Sequence, residues 1–303
     1  MKRLKKSIIL LTIISLGAFF FSLTNQVSIE ASSDDNNSIN YVHLKNTSNN
    51  LSIIYSTNYQ NKIYNQIAKL KKYNDYTIEH PLLITNPYGT NTTSVYMYFK
   101  TSDELQATYT IHCDGYNDFS RTLNNNTLSG YTTNHEYLLV GAIPGQINTI
   151  TVTLTNKQGK TVDTLSWSYN APSLQGGDQY LTVDCDDANT SSLSNGLYTV
   201  LGNDVTEDSE EQAYMRLYDN HGILRSEIPI ISYRSHRILF EDNTMYFSIS
   251  STKIVGMDQT GYISRIYDTG NYKLHHDYIF DSNNNLLVLA SEKNAKTSED
   301  KII

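Results

Sequence analysis

The second half of the chain repeats itself. Tyr218-Asp-Asn-His-Gly-Ile-Leu-Arg-Ser-Glu-Ile228 lies 39 residues before Met257-Asp-Gln-Thr-Gly-Tyr-Ile-Ser-Arg-Ile-Tyr267, so Asp219 matches Asp258 and Gly222 matches Gly261. The same offset pairs Tyr233 with Tyr272, His236 with His275 and Asp242 with Asp281. Five matches at one offset are hard to obtain by chance. Each unit reads as a strand, an Asp-x-x-Gly turn, a second strand, a strand opening at histidine, a turn and a last strand. A period near 40 with several strands per unit is that of a β-propeller blade. One blade cannot bury both of its faces, so several must close into a ring. Residues 196–303 supply about two blades, with an irregular first strand around Gly196 to Gly202. Glu299-Asp-Lys-Ile-Ile303 reads as the start of a next blade, by its likeness to Lys253-Ile-Val255. The expected propeller is incomplete.

Upstream the pattern is one of short antiparallel strands. Ser94–Phe99, Ala107–His112, Glu136–Val140, Thr149–Leu154 and Thr161–Tyr169 are β-rich runs. Turn residues separate them at Asn86-Pro-Tyr-Gly89, Asp114-Gly115, Pro144-Gly145 and Gln158-Gly159. This spacing predicts a β-sandwich over residues 80–170. Trp167 alternates with Leu165 and Tyr169, which puts the three on one face and reads Trp167 as core. A linker follows over 171–195. Before the strands, residues 32–79 read as a flexible lead-in, rich in Ser, Asn and Asp, with one helix at Tyr59–Tyr73. Its Ile63, Ile67 and Leu70 form a face suited to packing on a sheet. The fold class is all-β, and the 24 Tyr among many Asn, Ser and Thr agree with short strands and turns.

At the N-terminus Lys2, Arg3, Lys5 and Lys6 precede an almost unbroken apolar run from Ser7 to Leu23. This predicts a secretory signal peptide over residues 1–31, with a cleavage site around Ala31-Ser32-Ser33 to which Ile29 is an imperfect match. An uncleaved membrane anchor is the alternative. The expected location is therefore secreted or at the cell surface. Lys+Arg 23 against Asp+Glu 31 gives a net charge of -8, the opposite of the balance a nucleic-acid partner requires. Cys113 and Cys185 permit a bridge in an oxidising compartment without requiring one, and no Cys-x-x-Cys spacing marks a zinc site.

Histidine is the chemistry that the repeat carries. In a propeller the innermost strands line a central channel, so His236 and His275, at equivalent strand starts, converge there with Tyr233 beside them. Two imidazoles in such a channel can serve as nucleophile and general acid/base. The rival explanation is that repeated histidines satisfy structural hydrogen bonds at a blade edge. Other signals are weak. Asp184, Asp186 and Asp187 lack the Gly and the distal Glu of a calcium loop, and Glu207 to Glu211 reads as a solvated run. His135-Glu136 has no second histidine at metalloprotease spacing, and no nucleotide or nucleophile-elbow fingerprint occurs. No metal and no cofactor is expected.

Leu274-His275-His276-Asp277, followed by Asn283-Asn-Asn-Leu-Leu-Val-Leu289, resembles the His-His-Asp strand start and the next strand of bacterial arylsulfate sulfotransferases. The likeness continues in His80-Pro-Leu-Leu-Ile-Thr-Asn-Pro-Tyr-Gly-Thr-Asn91 and in the stretch ending at Leu165-Ser-Trp-Ser-Tyr169, and it covers about residues 80–303. The resemblance implies an exported enzyme with a small β-sandwich and a six-bladed propeller, of which this chain holds the N-terminal portion. The implied reaction moves a sulfuryl group from an aryl sulfate ester to a phenol through a histidine, without a nucleotide donor. His275 matches the first histidine of the motif, and His276, next on the strand, is expected to point the opposite way. Asp277 is expected to share the orientation of His275. The family's covalent-carrier histidine and its arginine come from later blades, so the chain as written is expected to fall short of the full reaction. Two rivals stand beside this reading: a secreted propeller that serves as a binding surface, and the remnant of a disrupted reading frame. Exposed blade edges also predict self-association, with a homodimer as one outcome.

Overall fold

The computed structural model describes residues 28–31, 39–124, 130–177, 193–201, 212–232, 235–296 and 299–303. The apolar run of the expected signal peptide, Tyr233, Cys185, the acidic Asp184, Asp186 and Asp187, and the run Glu207 to Glu211 lie outside the described residues. The fold is all-β: among the described residues, one eight-stranded sheet is followed by three sheets of three, four and three strands.

The large sheet contains β1 (Ser28–Ala31), β2 (Asn40–His43), β3 (Leu82–Thr85), β4 (Val95–His112), β5 (Phe119–Leu123), β6 (Thr132–Leu139), β7 (Ile147–Thr155) and β8 (Thr161–Asn170). Helices α1 (Leu51–Ile54) and α2 (Thr57–Tyr73) lie between β2 and β3. β4 organises the sheet. Its first half pairs with β3 and β6, and its second half with β5 and β7, beyond which β8 adds. The two halves curl over one core that includes Met97, Phe99, Tyr109, Ile111, Val152 and Trp167. The sequence predicts two separate runs here, Ser94–Phe99 and Ala107–His112. In the structure the stretch between them continues the strand, and the register with β6 shifts between Lys100 and Leu105. Such irregularities bend a strand, and here the sheet curls.

Every residue from Val95 to Phe99 is buried, because the sheet has a second core on its other face. There Leu82, Ile84, Tyr96 and Tyr98 meet Ile63 and Ile67 of α2 and residues of the later sheets. An apolar run without alternation is what a strand covered on both sides requires. α2 begins two residues earlier than expected, capped by Ser56, whose Oγ accepts from the Tyr59 N–H at 3.3 Å. Gln60 on this helix is fully buried and fully bonded. Its Nε2 donates to the carbonyls of Ile54 (2.8 Å) and Tyr88 (3.2 Å), and its Oε1 accepts from the Ile263 N–H (3.1 Å). Residues 39–58 of the expected lead-in carry β2, α1 and the start of α2. β2 lies in the sheet, and Tyr41 accepts a hydrogen bond from the Trp167 indole at 2.8 Å. Ser28–Ala31, the last four residues of the expected signal peptide, pair with β2.

The repeated half forms three sheets: β9 (Tyr198–Val200), β10 (Ala213–Tyr218) and β11 (Leu224–Ile230); β12 (Ile238–Glu241), β13 (Thr244–Ser250), β14 (Lys253–Met257) and β15 (Ile263–Asp268); and β16 (Tyr272–Phe280), β17 (Leu286–Glu292) and β18 (Asp300–Ile302). β18 pairs with β17, so Glu299–Ile303 adds a strand to the third sheet instead of opening another. The Asp-x-x-Gly turns match in detail. Asp219 Oδ1 accepts from the N–H groups of His221 and Ile223, and Asp258 Oδ1 from those of Thr260 and Tyr262. Asp281 closes its turn the same way with Asn283 and Asn285. Asn284 (φ 61°) there takes the left-handed place of Gly222 and Gly261. Asp242 sits at the equivalent hairpin but in a tighter turn, where it and Asn243 both have positive φ.

The Asn86–Asn91 segment joins the halves. Thr90 Oγ1 donates to the Gly261 carbonyl (2.7 Å), and Asn91 Oδ1 accepts from the Ser226 hydroxyl (2.8 Å). The head of the expected linker is anchored as well, because the Gln175 N–H donates to Glu227. Cys113 is buried at the end of β4.

His135 and Glu136 have structural roles. Glu136 accepts from Tyr96 and pairs with Lys71 of α2, each at 2.6 Å. His135 is buried, stacked on Phe99 at 4.4 Å, with Nδ1 2.8 Å from the Tyr137 hydroxyl and Nε2 3.0 Å from Thr101 Oγ1. Burial pushes its pKa down to about 4. The unfolded chain takes up a proton near pH 6.5, and the folded protein does so only near pH 4. The contribution of His135 is therefore full above pH 6.5 and is lost as pH falls from there toward 4. Urea unfolding of the wild type should lose on the order of 2–3 kcal/mol more across that window than His135→Gln does. Parallel pH curves would contradict this.

Candidate active site

The repeated histidines do not both open strands as expected: His236 lies two residues before β12, and His275 lies inside β16. Ser235, which precedes His236, is buried. Its N–H donates to the carbonyl of Leu201, just past β9, at 2.8 Å, and its Oγ accepts from the Ser248 N–H at 3.1 Å. His236 is half-buried, and its N–H donates to Ser248 Oγ at 2.9 Å. Its predicted neighbour Tyr233 is outside the described residues.

His275 and His276 sit in a bulge of β16. Leu274 pairs with Ala290 and Tyr278 with Val288, so His275, His276 and Asp277 together face the single residue Leu289. His276 has φ 66°. The bulge overturns the expectation that the two rings point to opposite faces. Their centroids are 4.1 Å apart, tilted by 59°. Alternation holds only while each residue stays extended, and one left-handed residue turns its side chain toward its neighbour's side. The His275 side chain is 37% exposed, and its Nδ1 lies 3.1 Å from Asp300 Oδ1 of β18, off the line of a hydrogen bond. His276 is exposed.

Asp277 bonds to Arg237 rather than to an imidazole. Arg237 Nη1 lies 2.5 Å from Asp277 Oδ1, which also accepts from the Tyr278 N–H at 2.8 Å. This hydrogen bond from Arg237 holds the Asp277 carboxyl below the usual carboxylate range. The Tyr278 hydroxyl in turn donates to the Arg237 carbonyl. The segment carrying His236 and the bulge carrying His275 are thus joined through their neighbours.

Sequence reasoning passed over Arg237 and Asp300. Arg237 had a signal: it stands at the position of His276 under the 39-residue offset. Asp300 had none, because its approach depends on β18 pairing with β17.

Chemically, the arrangement offers two adjacent imidazoles that can hold or pass a proton, a carboxylate near one of them, and a guanidinium 2.5 Å from the carboxylate beside the other. No curated protein matches the chain. A family model described as Arylsulfotransferase (ASST) matches residues 182–303, and one described as Arylsulfotransferase Ig-like domain matches residues 82–172. The first contains the imidazole pair and the second most of the curled sheet; together they cover well over half of the sequence, and the chain belongs to the arylsulfotransferase family.

Proposed function

We propose that the protein takes part in sulfuryl transfer from an aryl sulfate ester to a phenol, with His275 and His276 in the reacting set. The observation that carries this reading is the imidazole pair on the bulge, within the stretch matched by the family's own model. In the reaction an imidazole nitrogen of a carrier histidine attacks sulfur. The sulfur–oxygen bond to the aryl group breaks, and the phenolate leaves with the electron pair. A phenol oxygen then attacks sulfur, the nitrogen–sulfur bond breaks, and the acceptor's proton passes to a base. One difficult displacement becomes two. His275 and His276 hydrogen-bond the sulfuryl oxygens and give a proton to the departing phenolate, stabilising charge where it develops. The carboxylate of Asp300 near Nδ1 of His275 favours the proton on that nitrogen and leaves Nε2 toward substrate. The family's carrier histidine and its arginine are assigned to no residue of this chain.

The three later sheets are read as blades of one propeller and the curled sheet as the family's N-terminal β-domain. The basic and apolar N-terminal segment supports export. Ile279, Leu287 and Ile302 are exposed on β16–β18, apolar surface that a second copy would cover in a homodimer. Sedimentation at micromolar concentration should find a dimer, and a monomer would remove that part of the proposal.

The test of function is release of 4-nitrophenolate from 4-nitrophenyl sulfate by the full-length gene product, with and without a phenol. Release that needs the phenol supports transfer. No release with any phenolic acceptor would move the reading to a secreted recognition protein.

A further inference from the structure

We propose that Arg237 is a positioning residue of this site, acting through Asp277 to hold the left-handed turn at His276 that brings the two imidazoles together. The kinetic consequence rests on the sulfuryl-transfer reading; the geometric one does not. A residue bearing a side chain keeps φ near 66° only where its surroundings enforce it. The ladder does not enforce it here, because β17 offers one residue opposite three. Asp277 supplies the constraint, accepting from the Tyr278 N–H and from Arg237 on the same oxygen. Arg237 is itself placed by two hydrogen bonds to its carbonyl, from Ser235 Oγ at 3.1 Å and from the Tyr278 hydroxyl. The contacts close a ring between the segment that carries His236 and the bulge that carries His275. A planar guanidinium suits this task because its donors keep a fixed geometry, which a lysine ammonium does not. The two side chains are 36% and 51% exposed, so the pair adds little to global stability. Its effect falls on orientation, to which the rate is sensitive.

The experiment compares wild type, Arg237→Met, Arg237→Lys and Asp277→Asn by imidazole NMR and by transfer kinetics. In Arg237→Met the ring-to-ring Overhauser contact between His275 and His276 should weaken, by up to about fivefold in the population that makes it, while the melting temperature stays within a few degrees. The kcat should fall up to about fivefold with KM little changed, and Arg237→Lys should recover only part of it. Asp277→Asn keeps an acceptor for the Tyr278 N–H and gives the same NMR readout should Arg237→Met fail to fold. A ring contact of undiminished strength in these variants would overturn the proposal, as would its weakening with kcat unchanged. A wild type that transfers no sulfuryl group, with the contact still weakened in the variants, would sink the sulfotransferase reading and leave the positioning role standing.

Discussion

Glu227→Ala should lower the unfolding free energy by about 3–5 kcal/mol, the scale expected when one member of a buried ion pair is removed. Glu227 and Arg216 face each other across β10 and β11, 2.6 Å apart, with side chains that are 0% and 4% exposed. The carboxylate also accepts from Thr92 Oγ1 (3.0 Å) and from the Gln175 N–H (2.5 Å), and Arg216 donates to the Gly176 carbonyl (2.9 Å). The alanine variant strands a buried guanidinium and orphans donors from two other segments, each at a desolvation cost. The damage reaches toward the site, because Leu201, just past β9, holds Ser235. Replacing both partners, as Arg216→Met with Glu227→Leu, should cost much less than the two single changes summed, since no charge is then left buried. Urea midpoints on the four variants check this, and a Glu227→Ala loss below about 1 kcal/mol would contradict it.

His275→Asn should reduce sulfuryl transfer by at least about a hundredfold, as expected for loss of a group that moves a proton in the transition state. Asparagine keeps a polar side chain of similar reach but cannot titrate. The fold should survive, because His275 is 37% exposed and its contact with Asp300 is not an aligned hydrogen bond. His276→Asn should have a smaller effect, since that ring is exposed and stands on the left-handed residue of the bulge. An unchanged melting temperature beside a collapsed rate separates chemistry from stability. A full rate in His275→Asn would remove the residue from the site.

The hairpins of the repeated half were legible because their turns are built from side chains: an aspartate must stand where its carboxylate can accept two backbone N–H groups, so Asp219, Asp258 and Asp281 mark the corners. β7 was equally readable, since Ile150, Val152 and Leu154 alternate with outward threonines. β4 was read as two runs because the polar, solvent-facing residues between them lack the apolar alternation that marks a strand. The orientation of His276 was hidden for a different reason. Residue type does not announce a left-handed histidine, and the register that creates the bulge is set by β17. The Arg237–Asp277 contact spans two sheets and follows from their packing rather than from local pattern.

The account stands most directly on one rate: phenol-dependent release of 4-nitrophenolate from 4-nitrophenyl sulfate by the full-length gene product, measured beside its His275→Asn variant. Release that rises with phenol and falls at least about a hundredfold in the variant is the predicted result. Release that ignores the phenol, or survives the substitution, would contradict sulfuryl transfer at the His275–His276 pair.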